Sequence, residues 1–252
     1  MDPSPVRTGA NGIATDVADG RLRADRITLR TVVKGAEWVA LRQRRVRVEP
    51  DVYVISAGGY VDADPVEVDT RPLVVELAVP DDGRALPEFL PTLRSMDGAV
   101  GRALRALGAG HSGACPIAVP SEAAPGLWAE LVAEERALRA RAERIDCTKP
   151  STRQSLFRRL LLSADFIHGN YAEPLRVDAL AEVSNLSPYH FTRLFGVVMD
   201  ATPHAFLVRK RVVVARRLLA AGVGRGEAAV RAGFGCRSTL FRHLRTSASR
   251  PT

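Results

Sequence analysis

The sequence predicts a two-domain α+β protein, a small antiparallel β-sandwich or barrel with helices after it, followed by an all-α half. Three observations predict this. Apolar residues recur with period two up to about Val79, and with helical spacing beyond it. Clusters of Gly, Pro and Asp punctuate the early runs at hairpin-like intervals. Charge is also divided: residues 1–150 hold 20 Lys+Arg and 22 Asp+Glu, a net of −2, while residues 151–252 hold 16 and 6, a net of +10. Arg supplies 33 of the 36 basic residues, a skew that looks like genome composition and weakens the overall pI as an argument. The asymmetry between halves survives it and suggests an anionic partner for the second half.

Composition excludes several classes. With 46% hydrophobic and 25% charged residues over 252 positions, the chain can bury a core and is not globally disordered. It contains no run of eighteen apolar residues, and Met1 to Thr15 lacks the basic-then-apolar order of a secretory signal, so it reads as soluble and cytoplasmic, with no membrane partner. Cys115, Cys147 and Cys236 are too scattered for a disulfide framework or a zinc knuckle.

Residues 1–19 are rich in Pro, Gly, Asp and Ser and read as a disordered tail. Strand-like alternation follows at Val46/Val48, Val52/Val54, Val66/Val68 and Leu73/Val75/Leu77/Val79. Turns are expected at Lys34-Gly35, Glu49-Pro50-Asp51, Gly58-Gly59, Asp64-Pro65 and Pro80 to Gly83. Phe89, Leu93, Met96, Val100, Leu104 and Leu107 then predict a helix that Gly108 and Gly110 stop. After a Gly/Pro-rich break at 108–126, Leu131, Leu138 and Ile145 lie seven apart on a second helix. Such spacing suits a helix–helix seam, and equally a helix packed on its own domain.

The second half reads as helical throughout. Ser151 and Gln154 form a capping-box pattern ahead of Leu156, Phe157, Leu160, Leu161, Ala164 and Ile167. Asn170 to Pro174 breaks that face, and a short helix at 177–184 ends near Asn185. Ser187-Pro188 and Thr202-Pro203 each place a hydroxyl cap before a proline at the first helical position. The helix that starts at Pro203 stops at Gly222. A unit then recurs: Phe191-x-Arg193-x-Phe195 follows a short helix and a turn, and so, 49 residues on, does Leu240-x-Arg242-x-Leu244 after Gly233-Phe234-Gly235. Two helix-turn-helix units in one basic domain suit a DNA reader, whose second helices would enter successive major grooves about 34 Å apart.

These residues resemble the AraC/XylS transcriptional regulators. The likeness is carried by Pro174-Leu175, Leu180-Ala181, Ser187 to Phe195, Thr202-Pro203, Arg211, Ala215, Leu218-Leu219 and Gly233-Phe234, over roughly residues 155–245. It implies a cupin-like β-barrel at 20–83 for effector binding or dimerisation, linker helices at 84–150, and a DNA-binding domain with two helix-turn-helix units at 151–252. It further implies that Pro188, Tyr189, Thr192 and Arg193 face DNA from the first reading helix, and Arg237, Ser238, Phe241 and Arg242 from the second. Arg can bridge guanine O6 and N7 or hold phosphate, and Thr or Tyr can meet a thymine methyl or a phosphate oxygen. A solvated helix face or an internal salt bridge is the alternative for each arginine. The matching Phe191, Phe195, Leu240 and Leu244 read as core.

The sequence departs from the family pattern at several points. Gly196 stands where a basic residue is usual, and Asp200 where a turn glycine is usual; Asp accepts left-handed backbone better than most residues. Arg225 and Ala228 replace large aliphatics, Gly224 and Gly226 each cost about 1 kcal/mol of helix propensity, and the chain ends at Thr252, short of the family's usual Pro and aromatic-basic pair. The first unit is therefore expected to read DNA and the second to be weak or structural. The expected function is a sequence-specific DNA-binding transcriptional regulator; the alternative is a non-specific binder, or a protein-partnered regulator with a decayed second unit.

Catalysis is not expected. A cupin metal site needs converging histidines, yet His111, His168, His190, His204 and His243 all lie outside the β segment, so neither metal nor cofactor is implied. Beyond double-stranded DNA, this plan admits RNA polymerase, a small-molecule effector and a second copy of the chain as partners. Trp38, Tyr53 and Tyr60 could line an apolar effector pocket or simply fill a solid core. Cys236, beside Arg237 at a helix start, could be a low-pKa redox sensor or a small buried or half-buried packing residue.

Overall fold

The computed structural model describes residues 26–41, 44–57, 62–79, 89–110, 117–119 and 125–248. The expected tail at 1–19, the turns at Gly58-Gly59 and Pro80 to Gly83, Tyr60, His111 and Cys115 lie outside the described residues.

Strands dominate residues 26–78 and helices residues 125–248, as expected, with one helix and short strands between them. The strands are β1 (Arg26–Lys34), β2 (Glu37–Leu41), β3 (Arg44–Val48), β4 (Val52–Ala57), β5 (Ala63–Pro65), β6 (Arg71–Ala78), β7 (Arg94–Ser95) and β8 (Ile117–Val119). They form two sheets, ordered β7-β4-β1-β6-β8 and β3-β2-β5. Pairing is antiparallel except between β6 and β8. The period-two pattern has a direct packing consequence on β4. Tyr53 and Ile55 point with Ile27, Leu29, Leu73, Val75 and Leu77 into one apolar core. Val52 and Val54 face the other way, against Val39, Leu41, Val46 and Val48 of the smaller sheet.

Two helices cover the five-stranded sheet: α1 (Ala99–Ala109) and α2 (Pro125–Ala140), the latter continued by a single 3-10 turn at Arg141–Arg144. Their Val100, Leu104, Leu127 and Leu131 complete the core around Tyr53, which is fully buried there. Tyr53 gives its hydroxyl proton to Glu134 on α2 at 2.8 Å. Burial, with Glu134 beside it, pushes that phenol well above its ordinary pKa.

Several expectations are corrected here. The helix expected from Phe89 starts only at Ala99, because Arg94 and Ser95 pair instead with Tyr53 and Val52 as an edge strand. Pro91 and Gly98 flank that strand and favour extended or turn backbone there. Val66 and Val68 are turn residues, with Val68 fully exposed, and Asp64-Pro65 lies in β5 rather than in a turn. Ser151 and Gln154 form no capping box: α3 (Pro150–Asn170) starts earlier, with Pro150 in its first turn. The seven-residue seam on α2 is spent within the chain. Leu131 enters the sheet's core, whereas Leu138 and Ile145 join the core of the helical half.

The helical half continues with α4 (Val177–Val183), α5 (Pro188–Met199), α6 (Pro203–Ala220), α7 (Arg225–Arg231) and α8 (Arg237–Ala248). A single core of Phe157, Leu160, Ile167, Leu180, Phe191, Phe195, Leu207, Ala215, Ala228, Phe234 and Leu240 ties all six helices together. No helix among the described residues is long and apolar enough to cross a membrane.

Candidate nucleic-acid interface

The first helix-turn-helix unit is α4, a turn and α5. Ser184 closes α4, and Asn185 turns the chain in left-handed backbone at φ 48°. Asn is among the few residues that occupy this region cheaply. Ser187 then caps α5, accepting from the His190 amide at 3.4 Å, with Pro188 at the first helical position as expected. Phe191, Leu194, Phe195 and Val198 bury one face of α5, which leaves the opposite face to solvent. Asp200 ends the helix at φ 50°, so the expected tolerance of Asp at this position is met. Its carboxylate is also held by Arg144, which keeps its pKa below the ordinary value.

Helix α6 joins the two units and begins at the expected cap, Thr202, which accepts from the Ala205 amide at 3.2 Å. The second unit, α7 and α8, is fully built into the common core through Ala228, Ala229, Ala232, Phe234 and Leu240. Ala228 is completely buried, so a larger side chain would have to displace its neighbours. Gly233 occupies the turn at φ 80°. A Cβ there would lie 2.7 Å from the Tyr171 carbonyl oxygen, so both the backbone angle and the close approach require glycine. α8 starts at Arg237, four residues past Gly233, whereas Pro188 is three past Asn185; the second turn is thus one residue longer.

The expected contact residues fall in the same order on α5 and α8. Pro188, Tyr189, Thr192 and Arg193 occupy one stretch of α5, and Arg237, Ser238, Phe241 and Arg242 the matching stretch of α8. Pro188, Tyr189 and Arg193 are exposed, Tyr189 to 81%, a high value for an aromatic side chain on a folded helix. Thr192 is half-buried and gives its hydroxyl proton to the Pro188 carbonyl at 2.9 Å. Arg237, Ser238 and Arg242 are exposed on α8. Phe241 is half-buried, with the Arg225 guanidinium 5.4 Å above its ring. Arg225 thereby stacks on α8.

Cys236 is exposed, which corrects the reading of it as a small packing residue. Hydrogen bonds from the Ser238 and Thr239 side chains lower its thiol to about 7. His190 and His204 are exposed, while His243 is half-buried and stacks on Phe234 at 5.7 Å.

Sequence reasoning missed a cluster of ionised groups where the sheets meet the helical half. Lys210 on α6 is buried and lies 2.9 Å from Glu49 and 2.8 Å from Asp51, both in the β3–β4 turn. Arg217 and Arg47 also reach Glu49, and the Tyr171 hydroxyl donates to it at 3.0 Å. Burial opposes the Glu49 charge, yet Lys210 and Arg217 outweigh it and hold the carboxyl at about 2. The same surroundings desolvate His168, which stands edge-on to Phe206, and keep it at about 4. A second pairing runs in the opposite direction. Asp165 of α3 accepts from Arg44, from the Thr92 hydroxyl at 2.9 Å and from the Leu93 amide at 3.1 Å, and its burial raises its pKa. The one available signal was a lone lysine in an arginine-rich half.

Two helix-turn-helix units joined by one long helix on a shared core define a double helix-turn-helix domain. In agreement, residues 180–250 match the helix-turn-helix domain family. Over 76 residues the chain is 32% identical to the uncharacterised HTH-type transcriptional regulator YbfI of Bacillus subtilis (strain 168), a stretch covering 30% of this chain and 28% of that protein. Among solved structures, the DNA-binding domain of the global transcriptional factor AdpA, in complex with a target DNA, is similar at 27% identity, covering 36% of this chain and 83% of that one with a TM-score of 0.35. ToxT from Vibrio cholerae O395 aligns over 88% of this chain and 85% of its own, at 7% identity and a TM-score of 0.37.

Proposed function

We propose that this chain is a cytoplasmic, sequence-specific, DNA-binding transcriptional regulator whose reading helices are α5 and α8. The single observation that carries the reading is the pair of helix-turn-helix units presenting Tyr189 and Arg193, and Ser238 and Arg242, at matched positions outside a shared core. A net charge of +10 over residues 151–252 would add a sequence-independent attraction to phosphate. Arg193, exposed and without an ion pair among the described residues, is free to reach a base edge or a phosphate. In this reading Phe241 serves α8 through its stack with Arg225, and Thr192 offers a methyl group and oxygen lone pairs, since its hydroxyl proton is already given to Pro188.

The proposed division is a cupin-like barrel at 20–83 for effector binding or dimerisation, linker helices at 84–150 and the DNA-binding domain at 151–252. Because the apolar seam of α2 is consumed inside the chain, a second copy would join through another surface. Of its two expected roles Tyr53 takes that of filling a solid core, so a small-molecule effector would be taken up elsewhere than around that ring.

Selection from a randomised duplex library at near-physiological salt tests the proposal. An enriched motif that Arg193→Ala relaxes at one position supports it, by roughly 1–3 kcal/mol of lost discrimination. Binding without an enriched motif that fades steeply with salt would instead mark a non-specific phosphate binder.

A further inference from the structure

We infer that Glu49, at the tip of the β3–β4 turn and in the strand-built half, is a positioning residue for the two reading helices, acting through Tyr171 and Lys210. The inference rests on the DNA-reading role proposed above. Glu49 is completely buried, and four groups converge on it: Arg47 from β3, the Tyr171 hydroxyl at the end of α3, and Lys210 and Arg217 from α6. Asp51 shares Lys210 and Arg217. The turn therefore plugs a carboxylate pair into a cationic socket on the helical half. Asp165 returns the arrangement from α3 to Arg44, Thr92 and Leu93.

Tyr171 connects this plug to the second reading unit. Its ring has Lys210 Nζ 5.2 Å and Arg47 5.9 Å from its centroid, and its hydroxyl is fixed on Glu49. Its carbonyl accepts from Arg211 of α6 at 2.7 Å, and Arg211 also holds the Glu173 carbonyl at 2.8 Å. The turn glycine of the second unit, Gly233, packs directly on Tyr171 and Ala172. The connector at 171–173 is thus gripped from three sides: the β3–β4 turn, α6 and the α7–α8 turn. It leads straight into α4 of the first unit. A carboxylate far along the chain from either reading helix braces the segment that sets one unit against the other. Buried charged groups of this kind exchange one fixed arrangement for a large penalty when a partner is removed.

The experiment uses the full chain and two variants, Glu49→Gln and the milder Tyr171→Phe, which deletes one hydroxyl and leaves the ring. Each is assayed on the selected duplex with its two half-motifs at the selected separation, and on a duplex with one base pair inserted between them. Amide hydrogen exchange is followed at 171–173 and 233–234. We expect faster exchange in both segments, and a preference for the selected separation that falls by between about twofold and thirtyfold, with each isolated half-motif bound as by wild type. Wild-type spacing preference in both variants overturns the inference, whether exchange changes or not, and so does a wild type with no spacing preference. No enriched motif for wild type is the separate failure of the DNA-reading proposal.

Discussion

Arg144, in the 3-10 turn after α2, donates to both oxygens of Asp200 at 2.8 Å, and Asp200 is the residue that ends α5 in left-handed backbone. The pair is largely exposed, so its electrostatic contribution is small. The backbone angle is the stronger constraint.

At position 200 the φ of 50° therefore decides the outcome of substitution. Asp200→Gly relieves the angle and loses the exposed pair, and stability should stay within about 1 kcal/mol of wild type. Asp200→Val places a branched side chain in the same backbone and should cost about 1–2 kcal/mol in urea unfolding. Equal stabilities for the two variants would show that the angle relaxes freely.

Two glycines of the second unit should respond in opposite directions. Gly226 has open space around its Cβ position within α7, and Gly226→Ala should stabilise by about 0.5–1 kcal/mol. Gly233 combines φ 80° with backbone atoms of Tyr171 and Ala172 closer than 3.0 Å to a Cβ, and Gly233→Ala should cost about 2 kcal/mol or more. Thermal melts of the two variants decide this directly.

Acid should reveal the Glu49 cluster. The folded-state pKa of Glu49, about 2, lies below the ordinary 4.5. Its contribution is therefore present above about pH 4.5 and is lost as the pH falls through about 2. Wild type should melt well above Glu49→Gln at pH 6, and the gap should close steadily as the pH approaches 2. A gap independent of pH would mean that the variant's loss is one of packing.

Cys236 should react readily at neutral pH. With its thiol at about 7, alkylation by iodoacetamide should reach half its maximal rate near that pH, read at this residue by mass spectrometry. Removing the hydroxyl of Ser238 or Thr239 should move the midpoint up towards the ordinary 9.0. If α8 lies against DNA, the selected duplex should slow the reaction in wild type.

Much of the helical half was legible because its signals are local. Ser187-Pro188 and Thr202-Pro203 start helices through their own hydroxyls and ring geometry, and the spacing of Phe191, Arg193 and Phe195 separated core from surface. Each depends on neighbours within a few residues, so the sequence by itself determined the class of domain and the face that α5 exposes. Long-range pairing was not legible. Arg94-Ser95 became a strand because β4 offered an edge, and β8 was found only through its parallel partner β6. Leu131 and Leu138 looked like one seam until the fold assigned them to two cores. Glu49, Asp51, Tyr171 and Lys210 carry no mutual spacing signal, since residues 161 positions apart meet only after both halves are folded. Tertiary structure alone decided that these charges would be buried together, because only close packing can remove the water that would otherwise keep them apart.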